Sequence, residues 1–433
     1  MSESNPTHPT RRTNSVLCSN TFLLSLLLPI TAAVVLYQLD SFDPAPLPTH
    51  EFSGQPVSFP LQNPRLVHGA ERVGEGQLLG PEDLAYDPKS GVIYSGCYDG
   101  WIKRVTVSDS AGDSVVESWV NTGGRPLGVV LGHDDDVIVA DADKGLLRVT
   151  TGDGKLEMLT NEAEGVGFKL TNGVDISDEG VIYFTDASSK YNISEVTWDM
   201  MEGRPYARLM SYDPSTKQTQ VLVRDLYFAN GVAVSPDQQF VVFCESFMRR
   251  CKRYYIQGEK KGFVDIFIDN LPGVPDNIRY GGEGQYWIAL ASVIKFFLSF
   301  TLCIHYSTLH SPLNLEWKWI RPIIPHGKSL CFCEILQGIT FAMDLAQRYP
   351  VIRKTMAIVE KYVEAPHMEK NSGVVAVDLQ GKPLAHYYDP SLSLISAGIR
   401  IGDYLYCGFP LRPYIIRLNL TQYPAVFGTT TKS

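Results

Sequence analysis

The chain has 433 residues and a formal net charge of −9. Its ordinary apolar fraction describes a globular protein, and the acidic balance argues against a nucleic-acid-binding surface. No phosphate-cradling glycine loop, HExxH pair or paired CxxC occurs in it.

From Thr13 to Leu39 no residue is charged, and "TFLLSLLLPITAAVVLY" (21–37) has the length of a short membrane span. Arg11 and Arg12 precede it, while Asp40 and Asp43 follow. That asymmetry predicts a cytoplasmic tail (1–20), a signal-anchor (21–37), a linker (38–64) and a type II arrangement with the bulk of the chain lumenal or extracellular. The small residues Thr31–Ala33 leave a cleaved signal peptide as the alternative. Either reading places the protein in the secretory pathway, at the endoplasmic reticulum, vacuole or plasma membrane. Sequons at Asn192 and Asn419 agree with that placement as glycosylation sites.

Next comes a repeated grammar. An alternating strand, a polar turn and an apolar strand recur in units starting at Pro81, Arg125, Leu170, Phe228, Pro275 and Ser396. The early units are spaced by about 45 to 58 residues, the period of four-stranded propeller blades. The expected fold is therefore all-β: a six-bladed β-propeller over 65–424, followed by a short tail (425–433). Within the fourth unit, "CESFMRRC" sets Cys244 and Cys251 on either side of a turn. They form a disulfide across a hairpin or are buried as small residues.

Residues 293–337 break the pattern. They carry three of the eight cysteines and two acids, Glu316 and Glu334. This stretch reads as an insertion or a translated intron, with a long surface loop as the alternative. After it, "GITFAMDLAQRYPVIRKTMAIVEKYVE" reads as helix broken at Pro350, with Phe341, Leu345, Ile352, Met356 and Val359 on one stripe. That stripe fits a cap over the channel, a membrane-facing patch, or packing onto the propeller.

Aligned on the residue just before each inner strand, the six units present Glu82, Leu127, Asn172, Asn230, Asp276 and Ala397, with Asn277 following Asp276. Equivalent positions in a propeller ring the central channel. Asn-Gly is ordinarily a turn signal, but each unit already has its hairpin turn further on. Gly173 and Gly231 are expected to permit close backbone approach or a positive φ. Oxygen donors converging there, without Cys or His, suit Ca²⁺ better than Zn²⁺; a hydrogen-bonded polar plug is the alternative. Asp276 and Asn230 are the candidate catalytic residues, and Glu82, Asn172, Asn230, Asp276 and Asn277 the candidate metal ligands.

At these residues the chain resembles the strictosidine synthase-like family, including its adipocyte plasma membrane-associated branch, and more distantly the paraoxonase and gluconolactonase propellers. "GRPLGV" (124–129), "VIYFTDASSKY" (181–191), "LMSYDPSTKQTQVL" (209–222), "FANGVAVSPD", "VPDNIRYGGEGQYWIAL" (274–290) and "GDYLYCG" (402–408) carry the resemblance. It implies that Glu82, Asn172, Asn230 and Asp276 match the calcium ligands of the metal-dependent relatives, and that Asn277 matches a further paraoxonase ligand. The synthases' glutamate is replaced here by Ser393 or Ser396. A membrane-anchored, calcium-dependent hydrolase of small ester or lactone substrates is the expected function. A non-catalytic propeller with structural calcium and a partner, or a synthase-type condensing enzyme, are the alternatives. The paraoxonases' histidine dyad has no counterpart, since His133 reads as a solvated turn residue.

Overall fold

In the computed structural model of the protein, residues 41–45, 54–134, 136–291 and 371–427 are described, together with Leu27 and Thr31. The chain divides into Met1–Asp43 and Pro44–Ser433, and every strand described below belongs to the second unit. The expected membrane segment, the 293–337 insertion and the helical stripe after it lie outside the described residues, apart from Leu27 and Thr31. No helix among the described residues is long and apolar enough to cross a membrane.

Six sheets, each with four strands of antiparallel meander, make a six-bladed propeller. The inner strands are Ala85–Asp87, Pro126–Leu131, Thr171–Ile176, Ala229–Val234, Pro275–Tyr280 and Ala397–Ile401, for blades 1 to 6 in turn. Blade 6 takes its outer strand, Glu71–Val73, from the other end of the chain, pairing it with Ile415–Arg417 and so closing the ring. Leu61–Asn63 runs parallel to Ala385–Tyr387 and pairs with Val426–Phe427 at the rim of blade 5. These two short strands extend the sheet past both ends of the expected 65–424 span.

The strands are apolar on both faces because each blade is covered by two neighbours. In blade 4, Val241 and Phe243 pack toward blade 3 with Leu209 and Tyr183, while Val242 and Cys244 pack toward blade 5 with Ile288 and Val375. The same alternation builds a core between blades 2 and 3 around Phe184 and Met210, and another between blades 5 and 6 around Trp287 and Leu405. Each such side chain contributes about 1.5–3 kcal/mol by leaving water, so no blade is stable alone. Cys244 and Cys251 sit opposite each other on adjacent strands of blade 4 and form a disulfide.

Candidate metal centre

Every inner strand begins at the same end of the channel, and a set of hydroxyls stitches these starts together. Ser396 Oγ donates to the Glu82 carbonyl at 2.6 Å, and the Asn277 N–H donates to the Ser396 carbonyl at 3.0 Å. Thr185 Oγ1 accepts from the Gly173 N–H at 2.9 Å and donates to the Asn230 carbonyl at 2.7 Å. Ser246 Oγ donates to the Pro275 carbonyl at 2.7 Å. Neighbouring starts touch through their glycines. A Cβ on Gly173 would lie 2.5 Å from the Asn230 carbonyl oxygen, and one on Gly231 would lie 2.7 Å from that of Asp276. Of the two expectations for these glycines, close approach holds, and neither has a positive φ.

A carboxylate ending the second strand of blades 2, 3 and 4 clamps the chain just ahead of the ring. Asp141 accepts from the Arg125 N–H at 3.1 Å, Asp186 from the Leu170 N–H at 3.0 Å and Glu245 from the Tyr227 N–H at 3.1 Å. Asp186 is paired with Arg208 at 2.6 Å, and Glu245 with Arg250 at 2.6 Å and Lys252 at 2.8 Å. Sequence reading passed over these three acids, although each closes a quoted or repeated strand ("VIVAD", "VIYFTD", "FVVFCE"). Phe228, next to the strand that carries Asn230, takes a left-handed φ of 54° and stacks on Phe247 at 4.7 Å. Such a backbone is costly for a bulky residue and is held by its surroundings.

These supports bring the expected residues to one ring. Glu82, Asn172, Asn230 and Asn277 are buried, and Asp276 is half-buried. Asn277 Nδ2 donates to Glu82 Oε1 at 2.9 Å, so this amide orients the glutamate. Burial raises the Glu82 pKa well above the usual carboxylate range, and the charges of Asp276 and Asp83 add to it; Arg125 and the Asn277 hydrogen bond oppose. Burial raises Asp276 too, against a hydrogen bond from the Asn230 amide. Three buried acceptors from three blades, Glu82 Oε2, Asn172 Oδ1 and Asn230 Oδ1, have no hydrogen-bond donor. A polar plug would satisfy such atoms, and unsatisfied they are costly. Two carboxylates and amide oxygens, with donors missing, fit a hard divalent cation. Among the described residues no three His, Cys, Asp or Glu side chains cluster as a metal site, which is consistent with a ring whose remaining donors are amides.

The other two ring positions are apolar. Leu127 belongs to a cluster with Ala142, Leu170, Ala187 and Phe228, against which Ile193, Val196 and Phe247 pack. Val196 lies in a short helix, Val196–Glu202, on an excursion between two strands of blade 3. In blade 6, Ser396 precedes Ala397 and is fully buried, whereas Ser393 is half-buried; neither supplies a carboxylate. His133 does lie in a turn, at the opposite end of its strand, with Nε2 2.8 Å from the Ser177 carbonyl oxygen. Asn192 and Asn419 are half-buried; Asn192 caps a short 3-10 turn and accepts from Ser194, and Asn419 ends a strand of blade 6 and accepts from Thr421 and Gln422.

Below the ring the channel is crossed by Arg279 of blade 5. Its guanidinium pairs with Asp83 of blade 1 and donates to the carbonyls of Val129 in blade 2 and Val174 in blade 3. Burial opposes its charge, but Asp83 and Asp175 outweigh burial and raise its pKa. Beyond Arg279 the far end of the channel opens into a cavity of about 560 Å³ lined by Asp175, Arg279 and Arg400 among others.

Residues 172–259 match the strictosidine synthase family model, and 62–105 match the model for the N-terminal part of strictosidine synthase-like proteins. Strictosidine synthase-like protein 7 of Arabidopsis thaliana is 47% identical over 94% of this chain and 97% of its own length. The adipocyte plasma membrane-associated protein of Gallus gallus is 30% identical over 92% of this chain and 89% of its own. Among solved structures, a gluconolactonase from Xanthomonas campestris superposes with a TM-score of 0.51 at 12% identity, covering 84% of this chain and 95% of that one. At that identity the likeness concerns the fold.

Proposed function

The chain belongs to the strictosidine synthase-like family, and we propose that it acts as a Ca²⁺-dependent hydrolase of small ester or lactone substrates. The observation that carries this reading is the set of three donor-less buried oxygens, Glu82 Oε2, Asn172 Oδ1 and Asn230 Oδ1, at the ring positions of three blades. Glu82, Asn172, Asn230 and Asp276 would hold the cation, with Asn277 fixing Glu82. A cation bound there supplies Lewis acidity that polarises an ester carbonyl. Asp276, the more open of the two carboxylates, takes the proton of the attacking water, and the Asn230 amide orients Asp276 for it. The apolar side formed by Leu127 and Phe228 receives the non-polar part of the substrate. The solved gluconolactonase shares the fold, so a lactone is a sensible first substrate to assay. Synthase-type condensation lacks its base here, because Ser393 or Ser396 stands where the synthases carry their glutamate.

Placement in the secretory pathway rests on the uncharged 21–37 segment, which would anchor the protein in the membrane, and on the blade 4 disulfide, which suits an oxidising compartment. Sequons at Asn192 and Asn419 would then carry glycans. A structural role for the cation is the second reading, because its ligands come from four blades and binding would cross-link them. Turnover of phenyl acetate and a lactone panel, with Ca²⁺ and with chelator, separates the two. Hydrolysis that disappears on chelation and in Asn230→Ala, with folding retained, is the expected result. No turnover at all, with chelation only lowering the melting temperature, would leave the structural reading.

A further inference from the structure

Arg125 reaches the site from blade 2, one residue ahead of the inner strand Pro126–Leu131. Its backbone is fixed on both sides: its N–H donates to Asp141, and its carbonyl accepts from the Ala142 N–H at 2.9 Å. The residue is only 7% exposed. Its guanidinium donates to the carbonyls of Pro126 at 3.2 Å and Gly80 at 3.5 Å, and lies 5.2 Å from the centre of the Tyr98 ring. No carboxylate among the described residues comes within ion-pairing distance of it. The other two arginines buried to this degree each meet one: Arg208 meets Asp186, and Arg417 meets Glu71.

A buried charge without a partner is costly, and proteins normally avoid it. Glu82 is the opposite charge that acts most strongly on Arg125, yet the two do not form a pair. Asp141 acts more weakly, and its carboxylate is already occupied by the Thr122 hydroxyl and the N–H groups of Arg125, Asp143 and Lys144. Glu82 Oε2 is itself without a donor. An arginine without an ion-pair partner and a glutamate oxygen without a donor therefore both stand at the ring. On the reading proposed above, a divalent cation neutralises Glu82 and Asp276, while Arg279 answers Asp83. Arg125 is then left with one positive charge that no group of the ring balances.

We propose that Arg125 receives a carboxylate carried by the substrate, so that the site selects monoanionic esters or lactones over neutral ones. The planar fork of a guanidinium matches a carboxylate in two parallel hydrogen bonds, and Tyr98, 66% exposed, backs its face at the rim. This inference deepens the hydrolase reading and rests on the cation in that reading.

The test is calorimetric binding of monomethyl glutarate and dimethyl glutarate to the full chain in Ca²⁺ buffer, with turnover of both followed separately. The monoanion is expected to bind ~10- to 100-fold more tightly, the range of a charged hydrogen-bonded contact. Arg125→Gln should erase the preference, Arg125→Lys should keep part of it, and Tyr98→Ala should weaken the monoanion alone. Because a cation by itself attracts carboxylates, the loss in Arg125→Gln is the decisive comparison. Should that variant not fold, Arg125→Lys and Tyr98→Ala carry the test. Equal wild-type affinities, no binding of either ester, or a preference that survives in folded variants would overturn the proposal. A preference that depends on Arg125 without turnover would retire the hydrolase reading and keep this one. Turnover of both esters without preference would do the reverse.

Discussion

Replacing Arg279 by Met keeps the aliphatic stem and removes the guanidinium that crosses the channel. Asp83 is fully buried, and it would retain only the N–H groups of Leu84 at 2.9 Å and Val129 at 3.1 Å. Stripping one partner from a buried ion pair costs roughly 3–5 kcal/mol. The carbonyls of Val129 and Val174 lose a donor as well, at about 1 kcal/mol each. Since these contacts share one group they do not add fully, and a loss of roughly 4–6 kcal/mol is the working figure. Asp83→Asn in the same chain removes the stranded charge but turns an amide N–H toward one of those two backbone donors, so it should recover only about 1–2 kcal/mol of it. Urea titration followed by tryptophan fluorescence reads the difference. A chain of this size unfolds with a steep slope, roughly 4–5 kcal/mol/M, which holds the expected drop in midpoint for Arg279→Met to about 1 M, with the double variant between it and wild type. A single variant within ~0.3 M of wild type, or a double variant less stable than the single one, would refute the idea that this pair locks blades 1, 2, 3 and 5.

Gly173→Ala should destabilise by ~2 kcal/mol or more and weaken cation binding together with stability, because its Cβ meets the Asn230 carbonyl oxygen at 2.5 Å and the Gly231 Cα at 2.8 Å; a melting temperature equal to wild type would contradict the close approach. Burial pushes Asp199, in the blade 3 excursion, up to about 7, against a hydrogen bond from Ser188. The folded state thus holds its proton more tightly than the unfolded state, so Asp199 favours folding below about pH 4 and that contribution is lost as pH rises toward about 7. Asp199→Asn should therefore gain on wild type between pH 5 and pH 8, by on the order of 2–4 kcal/mol, in melting curves at stepped pH. A difference that stays flat or falls with pH would show that Asp199 ionises freely.

The blades were legible because their second strands are apolar on both faces and recur at a steady spacing; burial between two neighbours writes a continuous run such as "VIYF". The outer strand of blade 6 was not, because Glu71-Arg72-Val73 has no pattern of its own and becomes a strand only by pairing with residues near the far end of the chain. The seven-residue helix Val196–Glu202 is likewise too short to show a helical period. At the candidate site, the ring positions fell out of the repeat alignment. The channel lock did not: three residues past each ring position stand Ala85, Val130, Asp175, Ala233, Arg279 and Arg400, which marks the arginine, but its partner Asp83 stands one residue past Glu82, outside that register. Opposite charges at equivalent inner-strand positions of different blades point to contact across the axis, whatever their separation in sequence. Arg125 gave no such signal, since its isolation from carboxylates exists only in three dimensions.

The proposed chemistry requires a ring that holds one hard divalent cation. Calorimetric titration of Ca²⁺ into the chelator-treated full chain, paired with elemental analysis of the untreated protein, measures this directly. One cation per chain, with affinity lost in Glu82→Gln and Asn230→Ala, is the outcome the ring requires. No metal in the untreated protein and no heat on titration, with the chain folded, would contradict it and leave the unpaired oxygens of Glu82, Asn172 and Asn230 to another partner.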